Sequence, residues 1–277
     1  SAGVYTVTLT VSDTSGLSDD DTLTVTVSDL SFISANHLFV NQVPNSQITN
    51  ETINNVKNTL HIAYGHTSHG QQIINGLANL DNFMAGKGSV PGLYAVNFSG
   101  TAVSGELDLR DNPWFAWDDF GRDLGSAEVD GALVSGDYLS WVYTTRKYLG
   151  WNCGSGDGSA LSDYSTGTSA YDSVQNNNCN VIVWAWCGQA GYCADSKIVD
   201  YLYNMNQLEL DYPNVTFVYM TGHVDGTGED STLRRHNDTI RNYCSDNGKK
   251  LFDFADIESY DPDGNYFGDR YVTDGSN

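Results

Sequence analysis

The chain has 277 residues, enough for one large domain and a smaller appended unit. Acidic residues number 35 against 13 Lys and Arg, and the net charge of −22 repels nucleic-acid phosphates and anionic lipid headgroups. No stretch approaches the roughly 18 apolar residues that a membrane-spanning helix requires. We therefore expect neither a nucleic-acid partner nor membrane insertion.

The N-terminal segment predicts a β-hairpin. Residues 3–12 and 22–28 alternate apolar side chains with Thr or Ser, and the turn-rich stretch "DTSGLSDDD" separates them. The pair resembles the last two strands of a PKD domain, an immunoglobulin-like extracellular module, which implies that residues 1–30 are part of such a domain. Because two strands alone bury little apolar surface, we expect the other strands to come from upstream residues or from a neighbouring copy.

Residues 31–58 read as a linker with a joining helix near 48–58, and strands then alternate with helices. The predicted strands are 59–65, 180–188, 214–223 and 249–257, and the predicted helices are 70–85, 196–212 and 231–248. This alternation predicts a three-layer α/β domain over 59–277, with a parallel sheet covered by helices on both faces. A Gly-rich and aromatic-rich insertion occupies 86–179, where only 136–150 is plainly helical.

Polar segments follow four of the predicted strands: "GHTSHG", "WCGQ", "TGHVDG" and "DIESYD". The carboxyl ends of parallel strands share one edge of the sheet, and ligands bind outside that edge. The four segments therefore predict one pocket. Ser68 follows a strand and precedes a helix, a position that exposes a nucleophile beside backbone N–H groups able to stabilise an oxyanion.

This layout resembles the SGNH (GDSL-like) hydrolases, which are flavodoxin-like esterases. The segments "YGHTSHGQQ", "VWAWCGQ", "VYMTGHVDGTGE" and "LFDFADIESYDPDG" further resemble a group of secreted bacterial proteins that are often joined to PKD modules. The resemblance implies that Ser68 is the nucleophile. It also places Gly188 and Gln189 near the Gly-x-Asn motif, whose Asn donates to the oxyanion.

The general base departs from the family pattern. In SGNH hydrolases the base is a His of an Asp-x-x-His motif on the last helix, whereas no His follows residue 257 in this chain. We expect either that His223 takes this role, with His66 and His69 flanking Ser68, or that a segment beyond the C-terminus supplies the base.

Two metal sites are candidates. His66 and His69, with His223 and Asp225 at the same edge, offer ligands for zinc with an open coordination position. In "DPDGN", alternate positions around a Gly carry oxygen ligands as in calcium loops, although the closing Glu is missing and a simple turn explains the same pattern. The residues of this weak calcium candidate are Asp261, Asp263 and Asn265. The proposed chemistry requires no cofactor.

The five cysteines form no C-x-x-C pair, which disfavours zinc ribbons and favours disulfides in an exported protein. Cys153 and Cys179 bracket a Gly/Ser/Asn-rich loop and are candidates for a bridge. Residues 1–30 lack the features of a signal peptide, so we expect any export signal to have been removed. These features predict a secreted or cell-surface protein.

Three functions fit the sequence. The first is a secreted ester hydrolase, in particular a carbohydrate esterase or deacetylase, that acts on a polysaccharide or another acylated substrate through Ser68. The second is a non-enzymatic surface or filament subunit whose hairpin pairs with a neighbouring chain. The third is a carbohydrate-binding module that uses the aromatic insertion.

Overall fold

The computed structural model describes residues 3–12, 14–16, 18–27, 32–40, 48–113, 124, 141–149, 178–228, 230–261 and 263–268. The strands are β1 (Gly3–Ser12), β2 (Ser18–Val27), β3 (Ile33–Ala35), β4 (His61–Gly65), β5 (Val96–Asn97), β6 (Leu107–Asp111), β7 (Val181–Trp184), β8 (Thr216–Met220) and β9 (Lys250–Phe252). The helices are α1 (His37–Val40), α2 (Asn50–Thr59), α3 (Gln71–Gly86), α4 (Trp141–Tyr148), α5 (Asp195–Asp211), α6 (Thr232–Asp246) and α7 (Phe254–Glu258).

Seven strands form one sheet in the order β3-β9-β8-β7-β4-β6-β5, and every neighbouring pair is parallel. The predicted α/β class with a parallel sheet is therefore confirmed. Strand β7 lies at the centre, where Ile62 of β4 pairs with Val181 and Val183 pairs with Val218 of β8. The tips of β4, β7 and β8 are consequently adjacent.

Apolar side chains on successive positions of the central strands pack into two separate clusters, one on each face of the sheet. Ile182 and Trp184 belong to the cluster that includes Tyr201 and Leu208 of α5. Val183 and Ala185 belong to the other cluster, which includes Ile74 of α3 and Phe254 of α7. Helices therefore cover both faces, and the sheet is buried as a parallel sheet requires.

The predicted hairpin is present as a separate two-stranded antiparallel sheet. Its register runs from Gly3 opposite Val27 to Ser12 opposite Ser18, so the second strand begins four residues earlier than predicted. The acidic residues 19–21 lie in the ladder rather than in the turn, because pairing with β1 outweighs their low strand propensity. The immunoglobulin-like origin of the hairpin stays a prediction.

The predicted strand 249–257 is wrong beyond Phe252, where the chain turns into α7. Asp253 ends the strand because its carboxylate accepts the N–H of Asp256 and is held by the Arg241 guanidinium. The linker also contains an edge strand, β3, and the first part of the insertion contributes β5 and β6. Most of the insertion, including Cys153, lies outside the described residues.

A buried ion pair lies on β6, the strand next to the edge strand β5. The Arg110 guanidinium of β6 lies 2.8 Å from the Asp108 carboxylate, with side chains only 2% and 1% exposed. Asp108 also lies 2.8 Å from Nδ1 of His61 on the neighbouring strand. Burying such charges is tolerated because each has a partner of opposite sign and further hydrogen bonds.

Replacing Asp108 with Ala should lower the free energy of unfolding by roughly 3–5 kcal/mol, because it removes a carboxylate from a buried guanidinium. Urea denaturation followed by circular dichroism measures this change. Asp238→Ala is the matched control, since its carboxylate pairs with arginines on the exposed surface of α6; it should change stability by less than about 1 kcal/mol. Equal losses in the two variants would contradict the prediction.

Candidate active site

Cys187 stands at the centre of the site, just beyond the tip of β7. It immediately precedes a 3-10 turn, Gly188–Gly191. Its Sγ atom lies 3.3 Å from Oγ of Ser68 and 3.2 Å from Nδ1 of His69, both of which follow β4. The sulfur therefore receives two polar contacts from the neighbouring strand tip.

The turn that carries Ser68 and His69 is fixed by His66. Its Nε2 lies 2.8 Å from a carboxylate oxygen of Asp111 at the tip of β6, and its Nδ1 lies 2.7 Å from the carbonyl oxygen of Thr67. Both ring nitrogens are thus engaged in holding the turn. Gly70 completes it, since a Cβ there would stand 2.2 Å from Cβ of His66.

His223 approaches from the other side, beyond the tip of β8. Its ring stacks on His69 with centroids 3.7 Å apart and an interplanar angle of 15°. Nδ1 donates to the carbonyl oxygen of Val224 at 2.9 Å, while Nε2 is buried and has no hydrogen-bond partner within the described part of the chain. Nε2 is therefore available to a ligand.

Helix α6 holds two of the three tips in place. Its His236 is 1% exposed, and its ring nitrogens contact the carbonyl oxygen of Ala190 at 2.8 Å and the carboxylate of Asp195 at 3.0 Å. The next residue, Asn237, pairs its side-chain amide with both backbone polar groups of Gly222. The 3-10 turn after Cys187 and the loop before His223 are therefore tied to one rigid helix.

The electrostatic surroundings set Cys187 apart from two other described thiols. Partial burial raises the pKa of Cys187, but contacts with Ser68 and His69 stabilise the thiolate, and the net pKa is lowered to about 6. Burial raises the pKa of Cys179 to about 11 and that of Cys244 to about 12.

Glu258, at the end of α7, is a further acidic group near the two stacked imidazoles. Its Oε2 accepts the N–H of Val224 at 2.8 Å, and burial raises its pKa although this hydrogen bond and the charges of His223 and His69 act in the opposite direction. The carboxyl group thus supports the loop that orients His223.

The structure brings only part of the predicted residue set together. Ser68 and His69 contact Cys187, His223 stacks on His69, and Gly188 and Gln189 begin the turn after the cysteine. His66 instead braces the β4 turn. The Asp225 carboxylate accepts two hydrogen bonds from Thr227 and is not a member of the cluster formed by His69, Cys187 and His223. The catalytic role of Ser68 stays a prediction.

The candidate calcium loop has a simpler local explanation. The Asp261 carboxylate accepts the backbone N–H groups of Asp263 and Asn265 and the side-chain amide of Asn265. These bonds account for the fold of the turn without a cation, and calcium binding remains untested. Cys179 is a free thiol, and its proposed partner Cys153 lies outside the described residues.

Two site residues were missed by sequence reasoning. Cys187 belongs to "WCGQ", a segment already predicted to lie at the sheet edge, so its position after a buried strand was the available signal. Glu258 likewise belongs to "DIESYD", a segment already predicted to lie at this edge, but it ends a helix, α7, rather than following a strand.

Comparisons of the chain with protein-family models, with curated proteins and with solved structures find no match. Within the described ranges, no helix combines the length and apolar character needed to cross a membrane.

Iodoacetamide should alkylate Cys187 in the folded, metal-free protein faster than Cys179 or Cys244, which are buried. The thiolate is the reactive form, so the rate at Cys187 should fall as the pH is lowered through about 6. Peptide mass spectrometry after timed labelling measures each site separately. Labelling of Cys187 that rises only above about pH 8.5, the ordinary thiol pKa, would show that the contacts do not stabilise the thiolate.

Proposed function

We propose that this edge of the sheet is the active site of an ester hydrolase whose nucleophile is Cys187. The observation that carries the proposal is the pair of contacts from Ser68 and His69 to a single sulfur atom. A nucleophile and a base within hydrogen-bond reach form the minimal unit of covalent catalysis. The proposed reaction is ester hydrolysis, as the sequence predicts. In this proposal, however, Ser68 donates a hydrogen bond to the thiolate and is not the nucleophile.

The arrangement of these contacts favours sulfur over oxygen as the nucleophile. A serine needs a base that accepts its proton, and the imidazole nitrogen Nδ1 of His69 contacts the sulfur of Cys187. A hydroxyl that donates to a thiolate lowers the energy of the charged sulfur. The sequence-based prediction that Ser68 is the nucleophile therefore becomes the alternative. The experiment below distinguishes it from the proposal that Cys187 is the nucleophile.

The proposed reaction has two steps. The Cys187 thiolate attacks the ester carbonyl carbon, and the alcohol leaves with a proton from the His69 imidazolium, which forms a thioester. His69 then takes a proton from water, which attacks the thioester, releases the acid and regenerates the thiolate. The N–H groups of Gly188 and Gln189 are the proposed oxyanion donors, because the first N–H groups of a turn have no partner within it.

An acylated polysaccharide remains the proposed substrate class. Tyr192 follows the turn that begins after Cys187, and its side chain is 75% exposed. An aromatic ring exposed beside the nucleophile offers a stacking surface for a sugar ring. The strongly acidic chain repels anionic substrates, which favours neutral acetylated chains. Secretion, the SGNH-like family and the PKD-like hairpin belong to the same proposal.

Cys187→Ala should lower kcat/KM for p-nitrophenyl acetate by at least about 100-fold, because it removes the nucleophile. Ser68→Ala should cost about fivefold, the effect of one hydrogen bond worth ~1 kcal/mol. Cys179→Ala is the control at the opposite end of β7. If Ser68→Ala abolishes activity, Cys187→Ala retains it and a fluorophosphonate labels Ser68, the nucleophile is the serine.

A second candidate function is a surface or filament subunit, favoured by the hairpin. Strands β1 and β2 form a ten-residue ladder in a sheet of their own, distinct from the seven-stranded sheet. Such ladders gain stability by pairing with further strands. A neighbouring copy is the partner that the filament hypothesis requires.

Thr8→Pro should abolish head-to-tail assembly, because proline removes a backbone donor and disrupts the β1 ladder. Thr8→Ser keeps the donor and should assemble as the unchanged chain does. Electron microscopy with light scattering over a range of concentrations measures assembly. An unchanged chain that remains monomeric at every concentration would contradict the filament hypothesis and leave the hydrolase proposal untouched.

A further inference from the structure

We propose that His69, Cys187 and His223 together bind one divalent transition-metal ion such as Zn²⁺, and that the bound ion blocks the Cys187 thiol. One ligand atom from each of these side chains lies within 4.8 Å of the other two. A thiolate with two imidazoles is a donor set that suits zinc, and three protein ligands leave one coordination position open.

Binding requires a contraction of the ligand atoms, which lie within 4.8 Å of one another, and a rotation of the stacked His69 and His223 rings so that both nitrogens face the ion. Zinc bonds of about 2.3 Å to sulfur and 2.0–2.1 Å to nitrogen put tetrahedral ligand atoms about 3.4–3.6 Å apart. Nδ1 of His69 is already 3.2 Å from Sγ of Cys187. The ligands come from the tips of three adjacent strands, so the sheet itself sets their separation.

His223 supplies an independent reason to expect a ligand. The residue is 5% exposed, and its Nε2 is buried and has no hydrogen-bond partner among the residues that the structure describes. Buried polar atoms are nearly always satisfied, so one that is not calls for an explanation. A metal ion bound at Nε2 would satisfy it.

The surroundings of His223 match those of a metal-binding imidazole. Nδ1 donates to the carbonyl oxygen of Val224, which leaves Nε2 as the unprotonated nitrogen of the neutral ring. The Glu258 carboxylate accepts the backbone N–H of Val224, so it supports the loop that carries His223. These outer contacts fix the backbone beside His223 and leave Nε2 as the ring nitrogen able to bind an ion.

The other residues of the predicted zinc set are occupied elsewhere. Both ring nitrogens of His66 hold the β4 turn, and the Asp225 carboxylate is engaged by Thr227. The structure therefore keeps two histidines of the predicted set and replaces the remaining ligands with Cys187. When the sulfur of Cys187 binds zinc, it is not free to attack a substrate. Metal binding and covalent catalysis are therefore mutually exclusive at this site.

The test uses the full chain after reduction and removal of metal, titrated with Co²⁺ and then Zn²⁺. One equivalent of Co²⁺ should produce a thiolate-to-cobalt charge-transfer band and the visible bands of four-coordinate cobalt. Zn²⁺ should displace it and protect Cys187 from iodoacetamide. Cys187→Ala should lose the charge-transfer band, and His223→Gln should weaken binding by about 100-fold or more.

Cys179→Ala and His37→Gln are the matched controls, since both side chains lie away from the three ligands; both variants should bind Co²⁺ as the unchanged chain does. Thermal denaturation shows whether His223→Gln folds, and Cys187→Ala decides the question if it does not. A chain that binds no Co²⁺, or binds it equally well without Cys187, would overturn the proposal. Because the spectra are independent of turnover, metal binding by a chain that hydrolyses no ester even when metal-free would refute only the proposed hydrolase. Hydrolysis by a chain that binds no metal would refute only this inference.

Discussion

The parallel arrangement of β4, β7 and β8 is the constraint on which the site depends. Neighbouring strands are about 4.8 Å apart, so the tips of three adjacent parallel strands meet within the reach of side chains. Cys187 extends from the middle strand, and the loops of the outer two bring His69 and His223 over it. An antiparallel strand in the middle of this sheet would send one of the three groups to the opposite edge.

Helix α6 and a few close backbone contacts convert this topology into a fixed geometry. His236 and Asn237 each bond backbone groups of a different strand tip, so one helix sets the spacing between Cys187 and His223. Gly222 permits this approach, because a Cβ there would stand 2.7 Å from Cβ of Ala190. His66 and His236, whose ring nitrogens are both bonded, support the loops, whereas His69 and His223 lie beside the sulfur.

The fold was easier to predict from the sequence than the residues of the site. Apolar runs followed by helical periodicity were enough to predict the parallel sheet, because burial on both faces leaves a strong pattern. Strand β6 was not predicted, because its sequence "LDLRD" contains the two charged residues of a buried ion pair and therefore resembles a polar loop. Ser68 was favoured over Cys187 because a strand–serine–helix order is visible locally, whereas a thiol receiving contacts from a distant segment is a tertiary property.

The same sulfur and the same imidazole of His69 suit both proposed roles, and the reason is physical. A thiolate is stabilised by nearby donors or by a metal ion, and both demand an electron-rich sulfur at an accessible edge. His223 distinguishes the two proposals. A thiol hydrolase needs only His69 beside the sulfur, whereas the proposed metal ion would also bind the buried Nε2 of His223, which has no hydrogen-bond partner among the described residues. Ligand binding that satisfies this buried nitrogen stabilises the folded chain by mass action.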